Sequence, residues 1–190
     1  MEGLYASKKG EFKEFSIPML IECESSDSGC NGGLMEYAFT WLKTNGCIMF
    51  DYDYPYIGRK SICRLDRSKC VDMKVTGYKK LWSSSSSLTP VDEDGIKEFL
   101  YQTGPLAFGL NADVLKTYSS GIIDLSSSQS GINHFVLLIG YGTDSKSGKD
   151  YWIALNSWGR SWGESGCFRI RRGNGTCGVN CHIITATVSF

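Results

Sequence analysis

The spacing of apolar residues predicts a helix in the first third of the chain. From Leu34 to Leu42, apolar residues recur at the i, i+3, i+4, i+7 and i+8 positions, which is the spacing of one buried helix face. Asn45-Gly46 follows this run and is typical of a helix end. The positions expected to face the core are Leu34, Tyr37, Ala38, Trp41 and Leu42.

The segments around this helix have weaker patterns. The first ten residues resemble the end of another helix, because Tyr5 can face a core and Gly10 suits a C-cap. Residues 16–33 carry two cysteines and are expected to be a loop, and residues 47–74 are irregular and rich in Tyr, Asp and Cys. The five consecutive serines at 83–87 predict a solvated loop.

The pattern changes near residue 90. Acidic residues at 92–94 precede a short predicted helix that buries Ile96 and Leu100 and ends at Gly104-Pro105. After it, short apolar runs alternate with turns rich in glycine and serine, which favours buried strands. The chain is therefore expected to have a helical, loop-rich front followed by an antiparallel β layer. The predicted strands are 106–110, 135–139, 151–155, 168–170 and 183–188.

Charge and hydropathy narrow the classes of function. The chain of 190 residues has 20 basic and 20 acidic side chains, so a nucleic-acid or anionic-membrane partner is not expected. No apolar run approaches the ~20 residues that a membrane-spanning helix needs. The N-terminus lacks the apolar core that a signal peptide requires.

Cysteine is the unusual residue in this composition. The chain has eight cysteines but only two histidines and no C-x2-C spacing, so neither a metal site nor another cofactor is expected. Eight cysteines favour disulfides and an oxidising compartment. That interpretation conflicts with the missing signal peptide. Either the chain is truncated at its front, or the compartment is assigned wrongly.

One histidine stands where a catalytic base would be held rigidly. His134 directly precedes the apolar run 135–139, although a histidine bonded to backbone at the edge of the core is the alternative. The segment Asn156-Ser157-Trp158-Gly159 follows the run 151–155. Asn156 can accept a hydrogen bond from the imidazole and fix its tautomer, whereas the alternative here is a tight turn with aromatic packing.

These motifs, together with others along the whole chain, resemble the papain-like cysteine peptidases, a family that includes the cathepsins. Two of them are highly specific: Gly29-Cys30-Asn31-Gly32-Gly33, and N-S-W-G-x-x-W-G at 156–163. The stretch GGLMEYAF is most similar to cathepsin L, and CGVN is more similar to cathepsin F. The other matching points are Glu2-Gly3, Cys23, Leu34-Met35, Tyr54-Pro55-Tyr56, Cys63, Gly104-Pro105, Asn133-His134, Gly140-Tyr141-Gly142 and Cys177-Gly178.

The resemblance implies a fold. It implies one α+β peptidase domain over residues 1–190, made of two lobes with the substrate cleft between them. A helical lobe over about 1–90 would be incomplete at its N-terminal end. A lobe over about 91–190 would be antiparallel and β-barrel-like.

The resemblance also implies roles for matching residues. His134 would be the general base, Asn156 would orient it, and Trp158 would shield their bond. Gly32 and Gly33 would lie beside an extended peptide substrate, because they let backbone meet backbone. The residues implied to line the pocket for the second substrate residue before the cut are Leu34, Met35, Gly109, Ile132 and Phe135.

Two further implications concern the remaining histidine and one disulfide. By its offset from Cys177, His182 would lie at the floor of that pocket and make its preference depend on pH. The alternative is that His182 opens the last strand and points to solvent. The resemblance also implies that Cys23 pairs with Cys63.

The chain departs from the family pattern in several places. The motif C-G-[SA]-C-[WY], which carries the family's nucleophilic cysteine, does not occur in the chain, and the glutamine of the oxyanion hole is expected to be absent too. None of the eight cysteines is expected to replace that nucleophile. Phe135 stands where the family has a small residue and is expected to narrow the cleft. The pairing stays open for Cys30, Cys47, Cys70, Cys167, Cys177 and Cys181.

Two functions follow from these observations. The first is a papain-family cysteine endopeptidase represented by a chain that lacks its nucleophile and is inactive by itself. The alternative is a non-catalytic relative that binds peptides or inhibitors. The expected partners are peptide or protein substrates and either cystatin-like inhibitors or a propeptide. A monomer in a lysosomal, vacuolar or extracellular location is expected.

Overall fold

The computed structural model describes residues 1–81, 92–125, 131–179 and 182–190. Unit 1 comprises Met1–Lys79 and Ala186–Phe190, and unit 2 comprises Lys80–Thr185. The predicted serine-rich loop at 83–87 lies outside the described residues.

Unit 1 contains three of the α-helices that the structure describes. They are α1 (Glu2–Lys9), α2 (Ile17–Cys23) and α3 (Met35–Asn45). The predicted ends of α1 and α3 are confirmed. Gly10 and Gly46 follow these helices with φ of 75° and 63°, in the left-handed region that glycine enters without a steric penalty.

Helix α2 corrects the expectation that residues 16–33 form only a loop. Ser16 caps it, since its Oγ accepts a hydrogen bond from the backbone N–H of Met19 at 3.0 Å. Pro18 lies in the first turn, where its missing N–H costs nothing, and Met19 is buried. With seven residues, α2 is too short for a helical repeat of apolar positions to show in the sequence.

Helix α3 forms where the pattern predicts it, but its buried side is rotated. Leu34 and Tyr37, expected in the core, are 41% and 46% exposed. Leu42 and Trp41, which were also expected in the core, do pack into the hydrophobic cluster of unit 1, and Phe39 packs there too. A second i, i+4, i+7 series is formed by Met35, Phe39 and Leu42. The apolar spacing was therefore compatible with two different buried faces of α3, and the predicted face is only partly correct.

The segment 47–74 is largely irregular, as expected, and yet it holds much of the core of unit 1. Its buried residues include Cys47, Ile48, Met49, Tyr54 and Met73. Strand β1 (Lys74–Lys80) follows and was not predicted, because its burial does not alternate regularly.

Unit 2 contains helix α4 (Glu93–Thr103) and most of the β-structure, as the sequence predicts. The seven strands follow the order β1-β7-β2-β4-β5-β6-β3. The strands after β1 are β2 (Leu106–Leu110), β3 (Ile122–Ile123), β4 (His134–Thr143), β5 (Asp150–Leu155), β6 (Cys167–Arg171) and β7 (Ile183–Ser189).

The sheet differs from the expected antiparallel, barrel-like lobe in two respects. It is open, with β1 and β3 at its edges, so it does not close into a barrel. It is also mixed, because β3 pairs with β6 in parallel, with Ile122 opposite Arg169. A strand of two residues is too short to be seen in an apolar pattern, and β3 was therefore missed.

A buried carboxylate joins α4 to the sheet. Trp152 is fully buried in β5, and its Nε1–H donates to Glu93 Oε2 at 2.7 Å. The backbone N–H groups of Gly173 and Gly175 also donate to Glu93, each at 2.8 Å. Glu93 thus satisfies three donors from two segments, as a buried charge must.

Candidate active site

His134 is the first residue of β4 and is held there by its neighbours. In the antiparallel pairing of β2 and β4 it lies opposite Leu110. The backbone N–H of Asn133 donates to the carbonyl of Leu110 at 3.1 Å, and the side-chain Oδ1 of Asn133 accepts from the N–H of Ala112 at 2.8 Å. These bonds fix the backbone that carries the imidazole.

Asn156 follows β5 and meets His134 through its side chain. The amide oxygen Oδ1 lies 2.9 Å from His134 Nε2 and also accepts from the backbone N–H of Ser157 at 2.8 Å. The backbone N–H of Asn156 donates to the carbonyl of Gly166 at 2.9 Å, and the residue is 7% exposed. Because Oδ1 can only accept, Nε2 carries the proton of the neutral ring, and Nδ1 is its basic nitrogen.

Two tryptophans cover this pair. The Trp158 ring lies 5.2 Å from the His134 ring, centroid to centroid, with 35° between their planes. Trp162 packs edge-on against Trp158, and its Nε1–H donates to the carbonyl of Leu115 at 3.3 Å. Trp158 thus lies against the imidazole, and Trp162 packs against Trp158.

Four other residues singled out in the sequence form a second group in unit 2. Phe135 lies directly opposite Gly109 in the β2–β4 pairing. The backbone N–H of Gly109 donates to the carbonyl of His182 at 2.9 Å. His182 is half-buried, and its ring lies 5.5 Å from the Phe135 ring in an edge-to-face arrangement. Ile132 contacts the same space above Gly109.

The remaining predicted residues belong to unit 1. Gly32, Gly33 and Leu34 are exposed, and Met35 begins α3. Asp27 fixes this segment, because its Oδ1 accepts from the backbone N–H of Leu34 at 2.8 Å. The Asp27 carboxylate also fills the space that a side chain at position 33 would need, so only glycine fits there.

The comparison with known families decides the class of protein. Residues 1–187 match the family described as "Papain family cysteine protease". The chain belongs to the papain family of cysteine proteases. Its predicted family is therefore confirmed.

Papain-family relatives with curated descriptions match the chain almost from end to end. A viral cathepsin of Adoxophyes honmai nucleopolyhedrovirus is 39% identical over 95% of this chain and 50% of its own length. Cathepsin F of Drosophila melanogaster is 37% identical over 95% of this chain and 29% of its own length. The chain thus spans half or less of the length of these two relatives.

Solved papain-family structures match the fold. Digestive procathepsin L 3 of Tenebrio molitor larval midgut has a TM-score of 0.84 and 38% identity, over 98% of this chain and 59% of that one. The ragweed pollen allergen Amb a 11, a cysteine protease in its proform, has a TM-score of 0.83 and 33% identity, over 97% of this chain and 55% of that one. The predicted papain-like α+β fold is confirmed.

The cysteines of this papain-family chain fall into three environments. Cys23 is joined to Cys63, the pair that the resemblance implied, and Cys47 is joined to Cys70, a pair that the sequence left open. The described cysteines outside disulfides are Cys30, which is exposed, Cys167, which is half-buried, and Cys177, which is buried. Cys181 lies outside the described residues.

Burial makes Cys177 a poor nucleophile. Desolvation raises the pKa of its thiol to about 11, so the thiolate is scarce near neutral pH. No helix begins at this residue to offset that effect, because Cys177 lies inside a three-residue 3-10 turn with a φ of 56°.

Two residues that position the candidate site were missed from the sequence. Asn133 was recognised only as part of the Asn133-His134 motif, with no positioning role. Asp27 was not predicted to have any role. Both act by accepting a hydrogen bond from a backbone N–H. Asn and Asp side chains commonly accept such bonds in loops. The loop composition around Asp27 was therefore the only sequence feature that could have indicated its role.

Two kinds of feature do not occur in the described part of the chain. Among those residues, no group of three or more His, Cys, Asp or Glu side chains is placed to hold a metal ion. None of the described helices combines the length and the apolar character needed to cross a membrane.

Proposed function

We propose that this chain is the part of a papain-family cysteine endopeptidase that supplies the general base and its orienting amide. The whole protein hydrolyses peptide bonds in peptide or protein substrates. The observation that carries this proposal is the 2.9 Å hydrogen bond between His134 Nε2 and Asn156 Oδ1. An imidazole held in one tautomer by a buried amide is the arrangement that activates a thiol nucleophile.

The reaction uses the basic nitrogen of His134 twice. Nδ1 takes the proton of a cysteine thiol, and the thiolate attacks the carbonyl carbon of the substrate. When the tetrahedral intermediate collapses, the imidazolium returns that proton to the leaving amine and an acyl thioester remains. Nδ1 then deprotonates the water that hydrolyses the thioester. Asn156 holds the ring in place through both transfers.

None of the seven cysteines in the described part of the chain is placed to supply the thiol of this reaction. Four of these cysteines are in disulfides, and Cys177 is buried with a raised pKa. Cys30 lies in a three-residue 3-10 turn and not at the start of an α-helix, and Cys167 lies within β6. By itself the chain is therefore inactive.

The peptide contacts are assigned in each unit separately. In unit 1, Gly33 would pair with an extended peptide, next to Leu34 and Met35. Gly32 would lie beside that peptide without pairing, because its N–H donates to Gly29 and its carbonyl accepts from Ser28. In unit 2, one group of side chains receives the second residue before the cleaved bond. This group is formed by Gly109, Ile132, Phe135 and His182.

A second candidate function is peptide or inhibitor binding without cleavage. The absence of C-G-[SA]-C-[WY] from the chain favours it, because a non-catalytic relative needs no nucleophile. The intact pair of His134 and Asn156 favours the protease, because binding alone requires neither the base nor its orientation.

Several features of the whole protein belong to the same proposal. The 190 residues belong to a single papain-like peptidase domain that acts as a monomer. Two disulfides are consistent with a lysosomal, vacuolar or extracellular location. The similar solved structures are described as a procathepsin and as a proform, which supports a propeptide as a partner. Cystatin-like inhibitors are the alternative partner.

Sequencing the 5′ end of the transcript separates the two functions. The protease proposal expects an in-frame C-G-x-C-W sequence upstream of Met1. A protein expressed with that segment should cleave fluorogenic peptides, and His134→Ala should abolish the cleavage. A transcript without any upstream thiol motif, or turnover that His134→Ala leaves unchanged, would contradict the protease and favour the binding protein.

A further inference from the structure

The space above Gly109 is already filled by side chains of the chain itself. A Cβ atom at position 109 would lie 2.7 Å from Ile132 Cγ2 and 2.9 Å from Phe135 Cε1. Both distances are shorter than real carbon contacts allow. Gly109 therefore provides the room that the Phe135 ring occupies, and the two residues form a complementary large and small pair across β2 and β4.

The Phe135 ring is held in this position from another side. The ring of His182 meets it at 5.5 Å and 68°, in an edge-to-face contact. The backbone of His182 is itself bound to Gly109 by a 2.9 Å hydrogen bond. Moving the Phe135 ring away from Gly109 would break its edge-to-face contact with His182. The ring therefore occupies this position in the absence of a peptide.

This group lies at the surface and beside the catalytic base. Ile132 is 39% exposed, and Phe135 is half-buried. Consecutive residues of a strand point to opposite faces, so the side chains of His134 and Phe135 diverge. A peptide side chain that enters this group therefore comes from a residue near the cleaved bond. It does not come from the residue whose carbonyl is attacked. All four residues of the group lie in unit 2.

We propose that Phe135 is a specificity-determining residue that restricts this pocket to small side chains such as those of glycine, alanine and serine. The inference rests on the proposed function, because it assumes that a peptide lies along this face. The physical reason is volume, since a leucine or phenylalanine side chain would have to displace the Phe135 ring from Gly109 and His182. The expected discrimination against large side chains is about tenfold or more.

The first test asks whether the Phe135 ring fills the space above Gly109, and it needs no peptide. Phe135→Ala should open an apolar pocket that binds indole or benzene, detected by ligand-observed NMR, whereas the wild-type chain should bind neither. Tyr101→Ala is the matched control, because it removes an aromatic ring that is 78% exposed. Binding of indole and benzene by the wild-type chain as strongly as by Phe135→Ala would overturn the proposal.

A second variant pair tests whether the two residues are coupled. Gly109→Ala should lower the melting temperature, because the added methyl group meets Ile132 and Phe135. The same substitution in the Phe135→Ala background should lower it less, because only the contacts with Ile132 remain. Equal effects of Gly109→Ala in both backgrounds would overturn the proposal, even if one of the variants folds poorly.

The third test measures binding of capped dipeptide amides with alanine, leucine or phenylalanine at the second position. The wild-type chain should favour alanine, and Phe135→Ala should raise the relative affinity for phenylalanine at least tenfold. Equal binding of all three peptides by the wild-type chain would refute the size restriction and leave the proposed function standing. If neither chain bound any peptide, the proposed function would fail, and this inference with it.

Discussion

The Nε2 atom of His134 lies 2.9 Å from the amide oxygen of Asn156, across 22 residues of sequence. The pairing of β4 with β5 brings the two residues together, since Leu155 lies opposite Leu137 in that pairing. The bond determines which ring nitrogen keeps its proton, and so it determines which nitrogen acts as the base. The chemistry proposed for this chain depends on that one relationship.

Asn156→Ala is expected to release the imidazole. At a pH where the ring is neutral, ¹⁵N NMR of the wild-type chain should show one tautomer with the proton on Nε2 and slow exchange of that proton. In Asn156→Ala, a mixture of tautomers and faster exchange are expected, because the acceptor is lost. The same change removes the bond from Ser157 N–H and should destabilise the fold by about 1–2 kcal/mol.

Asn156→Asp is the matched control for this experiment, because it keeps an acceptor at the same atom. It should preserve the Nε2–H tautomer, and the signals of His182 should not change in either variant. A single unchanged tautomer in Asn156→Ala would mean that Asn156 does not orient His134.

Part of this candidate site could be predicted from the sequence and part could not. His134 and Asn156 were recognisable because each directly adjoins a predicted strand and belongs to a specific motif. The support from Asn133 and Asp27 was not recognisable, since both depend on backbone N–H groups that only the folded loops bring within reach. The close packing of Phe135 on Gly109 depends on strand register, which an apolar pattern does not give.

The free thiols should differ strongly in reactivity. Near pH 8, iodoacetamide should modify exposed Cys30 first and buried Cys177 last. Burial raises the pKa of Cys177 from 9.0 to about 11, which lowers its thiolate fraction near pH 8 about a hundredfold. Mass spectrometry of timed samples measures the order. In urea the difference should vanish, and equal rates in the folded chain would contradict the burial of Cys177.

The same thiol should make stability depend on pH in the alkaline range. Its pKa is higher in the folded chain than in the unfolded chain, so its contribution is fully present below about pH 9 and is lost as the pH rises through about 11. Cys177→Ala should reduce the loss of stability over that interval, as measured by urea unfolding. The same fall in stability in both chains would show that Cys177 is not its cause.

Glu93→Ala is expected to destabilise unit 2. The variant leaves three N–H donors without their carboxylate, those of Trp152, Gly173 and Gly175, and should cost about 3 kcal/mol or more. Urea unfolding followed by tryptophan fluorescence measures the change. Glu98→Ala is the control on the same helix, because Glu98 is exposed, and it should cost less than about 0.5 kcal/mol. Similar effects of the two variants would contradict the role given to Glu93.

Each of the two disulfides should add to the free energy of unfolding of unit 1. The Cys23–Cys63 bond closes a separation of 40 residues, and its removal by Cys23→Ser with Cys63→Ser should cost about 3–4 kcal/mol. Removal of Cys47–Cys70, with a separation of 23 residues, should cost slightly less. Non-reducing peptide mapping checks the pairing, and a Cys23–Cys30 peptide would contradict it.

The fold was predictable where elements are long and patterned. Helix α4 and strand β2 appear where the sequence predicts them, because an apolar run and its end signals agree there. Helix α2 and strand β3 were missed, since seven and two residues are too few for a repeat to show. The buried side of α3 was assigned partly wrongly, because Phe39 offered a second apolar face and tertiary packing selected it.

The most direct measurement is hydrolysis of a fluorogenic peptide by the purified 190-residue chain, with and without a reducing agent and an epoxide that alkylates thiols. The account predicts no thiol-dependent turnover, because His134 and Asn156 have no thiolate to activate among the cysteines of the chain. The chain extended by an upstream C-G-x-C-W segment should be active and should lose activity in His134→Ala. Turnover by the 190-residue chain that the epoxide blocks would contradict the account, because one of its eight cysteines would then be the nucleophile.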